Sequence, residues 1–133
     1  MRAVFADAFY FVGLINREDQ HHARVVAAAN RLHEDVLTTE WILAEFADAL
    51  AKSASRRLVA QFIRDLQQDR KVRIIRADSE LFRRGLQLYD ERSDKEWSIT
   101  DCISFVVMKD EGISEALTGD NHFEQAGFKA LLK

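Results

Sequence analysis

No proline interrupts this chain, glycine occurs five times and cysteine once. Without proline, no residue is debarred from a helix interior or a central strand, which suits a helix-rich chain with short connections. The single cysteine, Cys102, excludes an internal disulfide; set in the apolar run Cys-Ile-Ser-Phe-Val-Val, it reads as core and permits a reducing cytosol. Lacking a cysteine pair, the chain is not expected to bind zinc. Long apolar runs are missing too. The stretch Ala8 to Ile15 is too short to span a bilayer. Arg2 ahead of it resembles the basic start of a signal peptide, but Asp7 breaks that pattern and no small-residue cleavage site follows. A cytoplasmic protein without membrane association is expected. There is neither a phosphate-binding glycine loop nor a Gly-x-Ser-x-Gly elbow.

A surplus of positive charge is also absent. The net charge of −3 argues against bulk electrostatic binding of nucleic acid. The charge is unevenly spread, however. Between Ser53 and Lys95 there are 11 Lys/Arg against 7 Asp/Glu, and the remainder carries 8 against 15. A basic middle joined to acidic ends suits a polyanion held beside a cation, although solvated helix faces account for most such residues. The length of 133 residues suits one domain, 1–133, with a real core, and 47% hydrophobic with 31% charged content is that of an ordinary globule.

The periodicity alternates. Ala3 to Ala6, Val36–Leu37, Val72 to Ile75, Ile113 to Leu117 and Phe128 to Leu132 read as strands. Helices are expected over Ala8 to Ile15, over Asp19 to Leu32 with Asp19 as cap, and from a Thr38 or Thr39 cap to Lys52. Others follow over Ser55 to Asp69, Asp78 to Glu91, Thr100 to Glu111 and Asn121 to Ala126, with Gly112 and Gly127 as stops. Such alternation implies a three-layer α/β/α sandwich with a central parallel sheet of about five strands.

Against this background four lone acids stand out. Asp7 ends Ala-Val-Phe-Ala-Asp, Glu45 interrupts Trp-Ile-Leu-Ala-Glu-Phe, Asp101 precedes the apolar run of Cys102, and Asp120 follows Ala-Leu-Thr-Gly. Asp7 and Asp120 fall after strands, at the sheet edge where ligands bind in open α/β folds. Asp101 opens a helix, where the dipole favours negative charge. At about 100° per residue, Glu45 falls between Trp41 and Ala49 and is expected to face inward. Each has an ordinary alternative: a capping box with Ser98 for Asp101, turns for Asp7 and Asp120, a snorkelling side chain for Glu45. Their coincidence is harder to explain that way. An ionised acid taken partly out of water costs several kcal/mol unless compensated, and no basic residue stands beside any of the four. Two charges about 4 Å apart repel by roughly 4 kcal/mol at an effective dielectric near 20, so some of the carboxyls should have raised pKa values. Mg²⁺ or Mn²⁺ would neutralise all four, and phosphodiester hydrolysis is the reaction this arrangement suits. His122, two residues beyond Asp120, is near enough in sequence to approach the site but reads as structural, and His21 and His22 read as surface or capping residues.

The stretches Asp94-Lys-Glu-Trp-Ser-Ile-Thr-Asp-Cys-Ile-Ser-Phe, Ala116-Leu-Thr-Gly-Asp-Asn-His-Phe and Ala126-Gly-Phe resemble the PIN-domain ribonucleases, particularly the small toxins of the VapC kind. The resemblance implies a parallel sheet between helices, an acidic pocket for Mg²⁺ or Mn²⁺, and endonucleolytic cutting of RNA. It assigns Asp7, Glu45, Asp101 and Asp120 to the catalytic and metal-binding pocket and Thr118 to a supporting hydroxyl. It also implies a homodimer and a small antitoxin protein whose basic side chain occludes the pocket. One position departs: the family commonly has Ser or Thr after the first Asp, where this chain has Ala8. A stand-alone RNA-processing nuclease would look alike. A receiver domain fits less well, because Asp7 lies between two alanines, and a haloacid-dehalogenase phosphatase would need a second Asp where Phe9 stands. A catalytically silent RNA- or protein-binding module would have no use for an unpaired acidic pocket.

Overall fold

The computed structural model describes every residue except Met1 and Ser53. In chain order it runs β1 (Ala3–Ala6), α1 (Ala8–Ile15), α2 (His22–Arg31), β2 (Asp35–Thr39), α3 (Glu40–Ala49), α4 (Arg56–Gln68), β3 (Val72–Ile75), α5 (Ser79–Glu91), α6 (Ile99–Glu111), β4 (Glu115–Leu117), α7 (Asn121–Gln125) and β5 (Lys129–Ala130). All five strands are parallel, in the order β3-β2-β1-β4-β5. The expected three-layer α/β/α sandwich is what forms. Among the described residues, no helix is long and apolar enough to cross a membrane.

Helix starts follow the local chemistry. Thr39, not Thr38, caps α3, its hydroxyl accepting from the Ile42 amide at 3.1 Å. Thr38 instead donates its hydroxyl to the Ala6 carbonyl at 2.9 Å, satisfying an acceptor at the end of β1. Asp78 caps α5, and Ser98 with Asp101 closes a capping box on α6, which Gly112 ends in the left-handed conformation at φ 68°. One start differs. The Asp19 carboxylate accepts from the His21 amide two residues on, forming a turn, so α2 begins only at His22. The last strand is also shorter than expected, because only Lys129 and Ala130 pair with β4.

The core has two aromatic centres. Phe11, Phe46 and Phe62 join α1, α3 and α4 through ring contacts at 5.6–6.0 Å. Phe5 of β1, Phe105 of α6 and Phe123 of α7 meet on the other side, with Trp97 edge-on to Phe105 at 5.0 Å. Burying each such ring stabilises by roughly 1.5–3 kcal/mol. The second centre sets α6 and α7 against β1 and so fixes the direction of the residues at their starts. Helix α5 lies along α6 because Gly85 has no side chain: a Cβ there would press into the Ile103 side chain and lie 3.3 Å from its Cα. Gly85→Ala is therefore expected to lower stability by about 1–3 kcal/mol, read as a reduced urea midpoint. An unchanged midpoint would show that the helix pair can separate without loss.

Candidate acidic site

The chain leaves β1, lays β2 and then β3 on one side of it, and returns to place β4 on the other. The switch point therefore lies between β1 and β4, where the registers Phe5↔Ala116 and Ala6↔Leu117 end the two strands level. A crevice outside the carboxyl ends of two such strands is the usual ligand site of an open α/β sheet. Asp7 follows β1 directly, and Thr118 to Asp120 follow β4.

Asp7 is buried and stands at the N-cap of α1, yet its side chain does not cap the helix. It turns instead to Thr118, whose fully buried hydroxyl donates to Asp7 Oδ2 at 2.8 Å. The same Thr118 oxygen accepts from the Asp120 amide at 3.1 Å, so one hydroxyl links the ends of both strands. Burial pushes the Asp7 carboxyl up from the usual 3.8 to about 7; the Thr118 hydroxyl opposes this, and the charges of Glu45 and Asp101 reinforce it. Asp101, half-buried in the first turn of α6, accepts from the Ser98 amide at 3.1 Å on Oδ2. Asp120 caps α7 by accepting from the His122 amide at 2.9 Å.

Glu45 differs from its expected orientation. It is exposed, and so is Ala49, while Ile42, Leu43, Phe46 and Leu50 form the buried side of α3. That stripe is centred about 115° away from Glu45 on a helical projection, which leaves Glu45 on the flank, at the rim and not in the core. Its carboxyl nevertheless loses enough water there to have a raised pKa, with Asp101 and Asp120 as the like charges that add to it. The structure thus joins the four in one chain of like charges: Asp7 feels Glu45 and Asp101, and Glu45 feels Asp101 and Asp120. Among the described residues, no lysine or arginine forms an ion pair with any of them.

The PIN domain family model matches residues 4–129. The chain belongs to the PIN domain family. It is 25% identical to the 23S rRNA-specific endonuclease VapC20 of Mycobacterium tuberculosis, strains H37Rv and CDC 1551, over 94% of this chain and 95% of that one. The crystal structure of M. tuberculosis VapC20, described as a sarcin-ricin loop cleaving toxin, superposes with a TM-score of 0.88 at 23% identity, covering 98% and 99% of the two chains. FitAcB from Neisseria gonorrhoeae shares the fold at a TM-score of 0.67 and 20% identity, covering 96% and 95%. The resemblance to VapC toxins read from the sequence is borne out.

This PIN domain holds at the site one polar residue that the sequence reading weighed there but assigned to a structural role. His122 Nδ1 lies 2.9 Å from Asp101 Oδ2 and 3.5 Å from Asp120 Oδ1. Ligand atoms of Asp101, Asp120 and His122 all lie within 4.8 Å of one another. The available signal was its position two residues beyond Asp120 in the first turn of a short helix. The other adjacent pair does structural work: His22 Nδ1 sits 2.7 Å from the Gly13 carbonyl, and the His21 ring packs on Phe9 at 4.8 Å.

Proposed function

We propose that this chain is a metal-dependent endoribonuclease, one nuclease domain over residues 1–133, acting as the toxin of a toxin–antitoxin pair. The observation that carries the reading is Asp7: a buried carboxyl, raised by burial and by its acidic neighbours, with no lysine or arginine among the described residues paired to it. Oxygen donors without a basic partner are what a hard divalent cation requires, so the residues present fit Mg²⁺ or Mn²⁺. Asp7 and Asp101 would be its chief holders, with Glu45 and Asp120 completing the pocket by ligation or by orienting the attacking water. When bound, such an ion supplies charge that offsets the carboxylates and the scissile phosphate and makes water more acidic. Thr118 holds Asp7 in one orientation, and it does so although Ala8 lacks the hydroxyl common in the family.

RNA as substrate is supported by VapC20, a 23S rRNA-specific endonuclease similar over nearly the whole chain. Glu45 is exposed beside the other acids, a rim that an RNA strand, or a basic side chain of an antitoxin, would reach from solvent. A homodimer and a cytoplasmic location complete the proposal. Sequencing RNA ends after brief expression tests it, with Asp7→Asn as control. New ends recurring at one sequence or structure, absent from the control, are expected; identical ends in both would overturn the nuclease reading.

A further inference from the structure

We infer that His122 is a positioning residue of the acidic site, fixing the Asp101 carboxylate so that its second oxygen is left to the pocket; the inference rests on the metal-pocket reading above. Asp101 Oδ2 is held from two directions, by the Ser98 amide at 3.1 Å and by His122 Nδ1 at 2.9 Å. An ionised carboxylate can only accept, so Nδ1 carries the hydrogen of that contact. The Ser98 bond alone belongs to the helix start and would exist in any capping box. The imidazole bond does not. It ties α6 to the segment after β4, across 21 residues of sequence.

The imidazole is itself held. The His122 amide donates to Asp120 Oδ1, and the next residue, Phe123, is fully buried edge-on to Phe105 at 5.0 Å and against Phe5. At the other end of the same helix, the Gln125 side chain accepts from Trp97 Nε1 at 3.0 Å, directly before Ser98. The ring is therefore carried on a clamped turn, with its Nδ1 2.9 Å from Asp101 Oδ2 and 3.5 Å from Asp120 Oδ1. That is more than a cap requires, since the α6 cap is complete with Ser98 and Asp101. Two like charges close together prefer to swing apart, and the bond from Nδ1 keeps the Asp101 carboxylate from doing so. Outer partners of this kind typically change metal affinity by about 10–100-fold.

The test uses Mn²⁺ alone, titrated into the full chain and followed by electron paramagnetic resonance, with wild type, His122→Ala, His122→Asn and His122→Gln. An Asn amide reaches about where Nδ1 stands, whereas a Gln amide reaches the position of Nε2. Expected is a roughly tenfold or greater loss of Mn²⁺ affinity in His122→Ala, most of it restored by Asn and not by Gln. Histidine-selective ¹⁵N spectra of the metal-free wild type should show a proton on Nδ1. Wild-type affinity in His122→Ala, equal rescue by Gln, or a ring protonated on Nε2 alone would each overturn the inference. No Mn²⁺ binding by the wild type would overturn it differently, by removing the metal-pocket reading beneath it. Should the Ala variant fail to fold, a folded Asn variant with reduced affinity no better than that of Gln overturns it as well.

Discussion

Asp7→Asn is expected to leave a folded protein that resists heat better than the wild type without metal and no longer cuts RNA. The two effects have one cause. Asp7 is buried, and its carboxyl is pushed up to about 7 from the usual 3.8, first by burial and then by Glu45 and Asp101. Ionising it in the folded state therefore costs on the order of 4 kcal/mol relative to the unfolded chain. An amide has the same shape and no charge, and its oxygen can still accept from the Thr118 hydroxyl. The loss of activity follows from the same substitution, because a neutral amide cannot balance a divalent cation. Positively charged assistance at a scissile phosphate is worth several kcal/mol, so at least a hundredfold drop in cleavage is expected. Asp101→Asn should match it in activity but without the gain in heat resistance, since the Asp101 charge sits in the first turn of α6, where the helix dipole favours it and the Ser98 amide donates to it. Cleavage by either variant at the wild-type rate would remove that residue from the mechanism. A fall in the melting temperature of Asp7→Asn would show that the carboxylate is compensated in the metal-free fold.

The metal-free protein should also lose stability as pH rises from about 4 to about 7. In that window the unfolded chain has already released the Asp7 proton while the folded chain still holds it. The folded state thus binds more protons, and stability falls with increasing pH. Glu45, also raised, acts in the same direction. Asp94, Asp110 and Glu80 are lowered by hydrogen bonds from Arg92, Arg84 and Arg83 and act oppositely, but they are solvent-exposed pairs and weak ones. The expected result is a metal-free melting temperature about 5 °C or more higher at pH 5 than at pH 7.5. Millimolar Mg²⁺ or Mn²⁺ should raise the value at pH 7.5 and leave that at pH 5 nearly unchanged, since protons and metal compete for the same oxygens. Differential scanning fluorimetry across pH, with and without metal, reads both. A stability that rises through this window, or melting curves indifferent to metal at pH 7.5, would count against a desolvated Asp7 and against the pocket respectively.

The elements differed in how far they could be read from their residues. Strand Val72–Ile75 and helix Ala8–Ile15 fall where their apolar runs lie, bounded by turn and polar residues. The start of α6 was readable because Ser98 and Asp101 bond within one turn. Glu45 was not: which side of α3 is buried depends on what lies against it, and the packing of Phe46 on Phe11 and Phe62 turned the helix so that Glu45 reached the rim. For His122 the sequence offered nearness to Asp120 but not its bond to Asp101, for a related reason. Asp101 is 21 residues away, and which distant carboxylate the ring meets is decided by how α6 and α7 pack.

From the sequence alone came the alternation of strands and helices, the caps and stops of several helices, the four isolated acids and the likeness to the PIN domains, because each is a matter of near neighbours or of residue type. Tertiary structure alone decided that β4 lies beside β1, so that Asp7 and Thr118 share a hydrogen bond across 111 residues. It also decided how deeply each acid is buried and that an imidazole stands beside two of them. Burial and charge proximity depend on the folded positions of distant segments, and those positions are set by the packing of the two aromatic centres against the sheet.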